Sequence, residues 1–308
     1  MLVPAGSFVQ GDDHAYPEEA PSHLASVSAF SIDIHPVTNA QFADFVADTG
    51  YVTTAETAGA AVFNAPPGPV DLGQPSLWWR HNAAANWRRP NGVDRLAREH
   101  DDHPVVCVTA VDALAYAVWV GAHLPTEAEW EWAAGAGLEL PASWPLAADG
   151  MLLANVWLGE FPWRPIRSMT PATTPVGAFP PNASGLFDML GNVWELTADP
   201  WTADHRHVDA RSATKALTDQ LHPCCGGGND RAGGDNCSGH RREGDDGDGE
   251  ADNITGDGVV AKGGSYLCAA NYCRRYRPQA RHRQGFIDAA CHVGFRCVHR
   301  PGSGANHG

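Results

Sequence analysis

The chain has 308 residues, 43% of them hydrophobic, which is enough for a well-buried core in one large domain or two ordinary ones. Its formal charge of −15 disfavours nucleic acid or an anionic membrane as a partner. The N-terminal Met1-Leu2-Val3-Pro4 lacks the basic start of a signal peptide, and no run approaches the roughly 18 apolar residues of a membrane span. The expectation is a soluble cytoplasmic protein.

Leu2 to Val9 reads as a short strand and turn. Ser28 to Thr38 alternates apolar and polar residues up to Pro36, the pattern of a half-buried strand. Thr38 stands at the N-cap of a helix predicted over residues 39–49, which Gly50 ends. Residues 53–100 carry few regular signals. His103 to Thr109 predicts a buried strand and Ala110 to Gly121 a helix. Thr126 with Glu129 forms a capping box at the start of another helix, whose acidic first turn suits the helix dipole. Residues 140–185 show little regular patterning, and Gly185 to Thr197 forms a second compact block.

Cys224 to Asp257 is dominated by Gly, Asp, Asn and Arg. It cannot bury enough area to offset its ordering entropy, so it predicts a mobile surface insertion. Patterning resumes at Val259 to Ser265 and closes with Cys291 to Val298. Eleven Trp with 33 Gly and 23 Pro predict a loop-rich fold held by aromatic packing. No repeat or clean linker interrupts the chain, so one domain is expected over residues 1–300, with a flexible tail over 301–308.

Eight cysteines in a reducing compartment suggest free, catalytic or metal-binding thiols rather than a disulfide framework. Cys268 and Cys273 stand out, five residues apart, after Gly263-Gly264-Ser265 and before Arg274-Arg275-Tyr276-Arg277. Nearby Arg side chains favour the thiolate. The spacing leaves three readings level: a soft-metal clamp, a reversible disulfide, or two small core hydrophobes. Zinc is disfavoured, because it needs two further ligands that the adjacent Cys224-Cys225 supplies poorly. The cationic run with Arg281, His282 and Arg283 suits docking of an acidic or polar peptide, or internal Arg pairs that hold loops. Asp188, Gly191, Asn192, Val193 and Glu195 either wrap a hard cation such as Ca²⁺ or make a capped polar turn. The carboxylates of Glu127, Glu129 and Glu131 are explained by the helix start. Walker A, G-x-G-x-x-G, G-x-S-x-G and H-E-x-x-H motifs are lacking, which leaves nucleotide chemistry and serine hydrolysis unsupported.

Several stretches line up with one family. They include His35 to Phe42, Ala85-Asn86-Trp87-Arg88, Leu124 to Glu131, Ala154 to Pro162, Gly191 to Glu195 and Gly294-Phe295-Arg296. With the Cys268/Cys273 segment they resemble the formylglycine-generating enzymes, also called sulfatase-modifying factors. The resemblance implies an α+β fold, low in regular secondary structure and related to C-type lectins. It implies O₂-dependent oxidation of the cysteine in a Cys-x-Pro-x-Arg motif of an unfolded or nascent type I sulfatase. The product is Cα-formylglycine, with Cu(I) as cofactor and a thiol as reductant.

By the same resemblance Cys268 and Cys273 hold Cu(I), the substrate thiolate adds as a third ligand, Ser265 and Tyr272 line the site, and Trp194 packs beside it. Asp188, Gly191, Val193 and Glu195 match a calcium site. Asn155 and Val156 match a second, weakened because Ser168 stands near its expected acidic ligand. A monomer is expected, with Cys297 free because Ala117 and Ala134 occupy its partner positions. Two other readings share these motifs: a non-catalytic binding or regulatory module, and an iron-dependent C–S bond-forming oxidase. The second normally carries an added helical domain with an iron-binding His set, which this chain does not show.

Overall fold

The computed structural model describes residues 1–93, 98–135, 144–166, 172–205 and 258–300. The insertion over 224–257, Ser168, Cys224, Cys225 and the tail over 301–308 lie outside them. In the first third of the chain are β1 (Leu2–Val3), β2 (Gly6–Gln10), β3 (His23–Val27), β4 (Phe30–Ile32), α1 (Asn39–Thr49), α2 (Thr54–Ala58), β5 (Ala60–Phe63) and β6 (Trp79–Asn82). Then come α3 (Ala110–Trp119), α4 (Glu127–Gly135), β7 (Gly159–Glu160), β8 (Arg164–Pro165) and β9 (Trp194–Pro200). The chain closes with β10 (Gly258–Lys262), β11 (Arg281–Gly285), β12 (Val293–Gly294) and β13 (Val298–His299). The α+β fold with little regular structure is as the sequence predicts.

Two sheets organise the molecule. One has the order β11-β10-β9-β12, antiparallel except for the β12–β9 pair. Every residue of β10 is buried, as a Val-rich run suits, and α4 packs against both β9 and β10. The other sheet, β1-β4-β13, ties the two ends of the described chain together.

Capping sets the helix starts. Thr38, Thr53 and Thr109 each accept from the backbone N–H three residues on, and Gln41, Glu56 and Asp112 reach back in return. Thr126 and Glu129 make the same exchange before α4. Gly50 ends α1 at φ +68°, a left-handed conformation suited to glycine.

Two of the predicted strands differ in the structure. The strand predicted over Ser28 to Thr38 contracts to Phe30–Ile32, after which Asp33 and Val37 donate to the Cys297 and Phe295 carbonyls instead of to a regular ladder. The stretch from His103 to Thr109 is mostly buried but is no strand. Val105 donates to Val37, Cys107 to Ala290, and φ +56° at Cys107 breaks the extended path.

Aromatic packing does hold the core. Phe42 contacts Phe45, Trp87, Tyr116 and Phe295 with ring centroids 5.2–6.4 Å apart. This cluster runs on to Trp194, Cys268 and Tyr276, so the cysteine segment grows out of the core.

Candidate active site

Strand β10 delivers the chain to Gly263 and Gly264, which turn it at φ +91° and +75°. A Cβ on Gly263 would lie 2.8 Å from the Met189 carbonyl, so the turn needs glycine for space as well as for backbone freedom. A hydrogen-bonded turn follows: Cys268 N–H donates to the Ser265 carbonyl at 2.9 Å, and Cys273 N–H to that of Ala269 at 2.9 Å. These turns fold the five-residue spacing into a sulfur pair. The two Sγ atoms stand 3.6 Å apart, far beyond the ~2.05 Å of a disulfide.

The two thiols are not equivalent. Cys268 is 2% exposed, and its sulfur accepts from the Ser265 N–H at 3.4 Å. Cys273 is only half-buried, and Arg275 Nη1 lies 3.9 Å from its sulfur. The hydrogen bond from the Cys268 thiol, with help from Arg275, pulls the Cys273 thiol down to about 6 against the cost of its burial. The same bond, then burial, pushes Cys268 well above the ordinary thiol range. Without metal the pair therefore shares one proton, with Cys273 as the thiolate.

This sets a pH prediction. Because the folded-state value lies below the unfolded one, the stability this thiolate contributes is fully present above the unfolded value and is lost as pH falls through about 6, where the thiolate itself is protonated. Iodoacetamide labelling of Cys273 in the metal-free protein should rise with a midpoint near pH 6 and level off above it. A midpoint near the ~8.5 of a free cysteine would contradict the hydrogen-bonded pair.

Aromatic walls flank the sulfurs. Tyr272, 37% exposed, stacks on Phe161 at 4.6 Å and 7° and meets the edge of Trp78 at 5.6 Å. Tyr276 packs on Trp144, and Trp194 stacks on His282 at 5.1 Å. Ser265 is fully buried and its Oγ accepts from Leu267 N–H, which makes it a shaper of the turn. The structure thus joins Cys268, Cys273, Ser265 and Tyr272 in one segment and places Trp194 in the same packed cluster as Cys268.

The loop from Asp188 to Glu195 braces this segment. Asn192 accepts from Tyr266 N–H, and Gly191 donates to the Gly263 carbonyl. Asp188, Gly191 and Asn192 all have positive φ. Asp188 accepts from Gly177 N–H and from the Asn192 amide, and burial raises its carboxyl. Both Glu195 oxygens are engaged: Arg296 pairs with the carboxylate at 2.6 and 2.7 Å, and Trp130 donates at 2.8 Å. The Asn155 amide donates to Asn192 and to the Ala172 carbonyl, while Val156 is buried in the core. Among the described residues no group of three or more His, Cys, Asp or Glu is placed to hold a metal ion.

The cationic run divides in favour of loop-holding. Arg275 pairs with Glu18, Arg277 with Asp12 and Glu19, and Arg281 with Glu127. Of the two readings, these three arginines follow the second, internal pairs that hold loops. Arg274 and Arg283 are the exposed members. The acidic partners on residues 12–19 escape sequence reasoning, because some 260 residues separate them from the arginines. Cys107, Cys291 and Cys297 are free and buried.

A model of the sulfatase-modifying factor enzyme 1-like domain matches residues 1–301. The chain belongs to this family. It is 42% identical to the formylglycine-generating enzyme of Mycobacterium tuberculosis, over 98% of both chains. It is 38% identical to that of Thermomonospora curvata, over 98% of this chain and 93% of the relative. Among solved structures, PvdO from Pseudomonas aeruginosa shares the fold, with a TM-score of 0.59 and 23% identity over 96% of this chain and 92% of that one.

Proposed function

We propose that the chain is an O₂-using oxidase that converts a sulfatase cysteine to Cα-formylglycine with Cu(I) held by Cys268 and Cys273. The carrying observation is the sulfur pair itself: two reduced thiols 3.6 Å apart, one sealed in the core and one half-buried beside a guanidinium. Soft sulfur donors fit Cu(I), and two of them leave room for a substrate sulfur. The full-length similarity to formylglycine-generating enzymes supports the reaction class.

When bound, copper supplies the site at which substrate thiolate and O₂ meet. The chain's own groups do the rest. Ser265 holds the turn, and its N–H steadies the Cys268 sulfur. Tyr272, backed by the buried Phe161 and Trp78, offers an apolar face for an extended peptide whose anchor is its cysteine. The substrate is a stretch with a Cys-x-Pro-x-Arg motif in an unfolded sulfatase. Its conversion from –CH₂SH to –CHO releases sulfur as H₂S and consumes O₂, with two electrons drawn from a thiol reductant. Five described reduced thiols are consistent with a cytoplasmic setting, and a monomer completes the proposal.

The test is reconstitution. Chelator-stripped protein should take up one Cu(I) per chain and regain peptide oxidation in proportion to it. Full turnover by copper-free protein would contradict the assignment.

Structural Ca²⁺ on the loop of Asp188, Gly191, Val193 and Glu195, and at Asn155 and Val156, rests on hard oxygen donors alone. The arrangement gives Glu195 to Arg296 and Trp130, so Glu195 does not fit as a ligand here. If Asp188 and the neighbouring carbonyls bind calcium, millimolar Ca²⁺ at about 100 times Kd adds ~2.7 kcal/mol and raises Tm, reversibly with chelator. The absence of such a shift would rule calcium out there. A clear rise would place calcium at the loop.

A further inference from the structure

The copper-site reading leaves the N-terminal segment unexplained. Residues 12–19 lie about 250 positions before the cysteines, yet they grip the arm that follows Cys273. Arg275 Nε donates to Glu18 Oε1 at 3.0 Å, and Nη2 donates to the same oxygen. The Tyr16 ring lies against the guanidinium at 3.9 Å, and Tyr16 OH accepts from Arg274 N–H at 3.2 Å. The Glu18 carbonyl is itself held by Arg281 Nη1 at 2.7 Å. The remaining nitrogen, Arg275 Nη1, is the one that faces the Cys273 sulfur at 3.9 Å.

We propose that Tyr16 and Glu18 are positioning residues for the Cys268–Cys273 copper site, fixing the Arg275 guanidinium against Cys273. The proposal rests on the copper reading above. Two thiolates with one Cu(I) carry a net charge of −1, and a substrate thiolate makes it −2. A fixed cation beside the sulfur stabilises that anion, whereas a free Arg would turn to water. Carboxylate on one edge and a ring on one face fix the plane of a guanidinium as they could not fix an ammonium. Glu19 and Asp12 serve a different arginine, Arg277, which has no described contact with either sulfur.

Charge and position make opposite forecasts here. Glu18 is an anion and the substrate thiolate brings one more negative charge to the Cu(I)-loaded pair, so through space alone its removal would tighten binding of the substrate thiolate. If its role is to position Arg275, removal loosens binding. The experiment is binding of a Cys-x-Pro-x-Arg peptide to the Cu(I)-loaded full chain at fixed pH without O₂, with Cu(I) uptake and melting followed in parallel. The variants are Glu18→Ala and Tyr16→Leu, with Glu19→Gln as control. The expected result is a loss of about tenfold in peptide affinity for the first two, the scale of one displaced charge at this distance, and no change for the control. Unchanged or tighter binding in folded Glu18→Ala and Tyr16→Leu overturns the proposal. An equal loss in Glu19→Gln overturns it too, because the segment would then act as a general brace. Wild-type protein that takes up no Cu(I) refutes the copper reading itself, a result distinct from the other two.

Discussion

Cys273→Ser abolishes aldehyde formation, by ~10³-fold or more, while the protein keeps its fold. The hydroxyl is close in size to the thiol and sits where the chain is half-buried, so packing changes little. What disappears is the softer, ionised donor. Serine does not ionise at neutral pH and is a poor ligand for Cu(I). Cys268→Ser should be equally inactive but less stable, because its sulfur is buried and accepts from Ser265. Peptide turnover and thermal melting on the two variants separate these effects. Substantial turnover by Cys273→Ser would remove the pair from the chemistry and favour a non-catalytic role for the fold.

Arg296→Met produces the largest loss of stability, about 3–5 kcal/mol, because it strands a buried carboxylate. Arg296 is fully buried and satisfies both Glu195 oxygens together with the Phe187 and Asp33 carbonyls. Methionine fills much of the volume but leaves Glu195 with Trp130 as its remaining described partner. The melting temperature should fall by roughly 5–15 °C. Adding Glu195→Gln should recover part of the loss, since the uncompensated charge is then gone. Equal stability of Arg296→Met and wild type would mean that the pair contributes little beyond a neutral core.

Much of this was legible in the sequence, for local reasons. Helix α1 follows from Thr38, Gln41 and Gly50, and α4 from Thr126 and Glu129, because caps are read within a few residues. The short helix α2 carries the same Thr53–Glu56 signal, but a surrounding region rich in Pro, Gly and Trp masks it. The irregular course of His103 to Thr109 was hidden, because an apolar run does not reveal a positive φ at Cys107. At the site, Cys268, Cys273, Ser265 and Tyr272 fall in one contiguous segment and could be seen together. The Tyr16–Glu18 grip on Arg275 could not, since only the fold joins positions so distant. Likewise Glu195 reads as a hard-cation ligand until Arg296, 101 residues on, is seen to hold it.

The central claim is that this sulfur pair oxidises a cysteine in a peptide. It is tested most directly by mass spectrometry of a Cys-x-Pro-x-Arg peptide incubated with the Cu(I)-loaded chain, O₂ and a thiol. The account predicts loss of the substrate sulfur, gain of one oxygen, and a product that a hydrazide captures, with none of it formed when O₂ is excluded. A peptide that keeps its sulfur, or is merely joined through a disulfide, would contradict it.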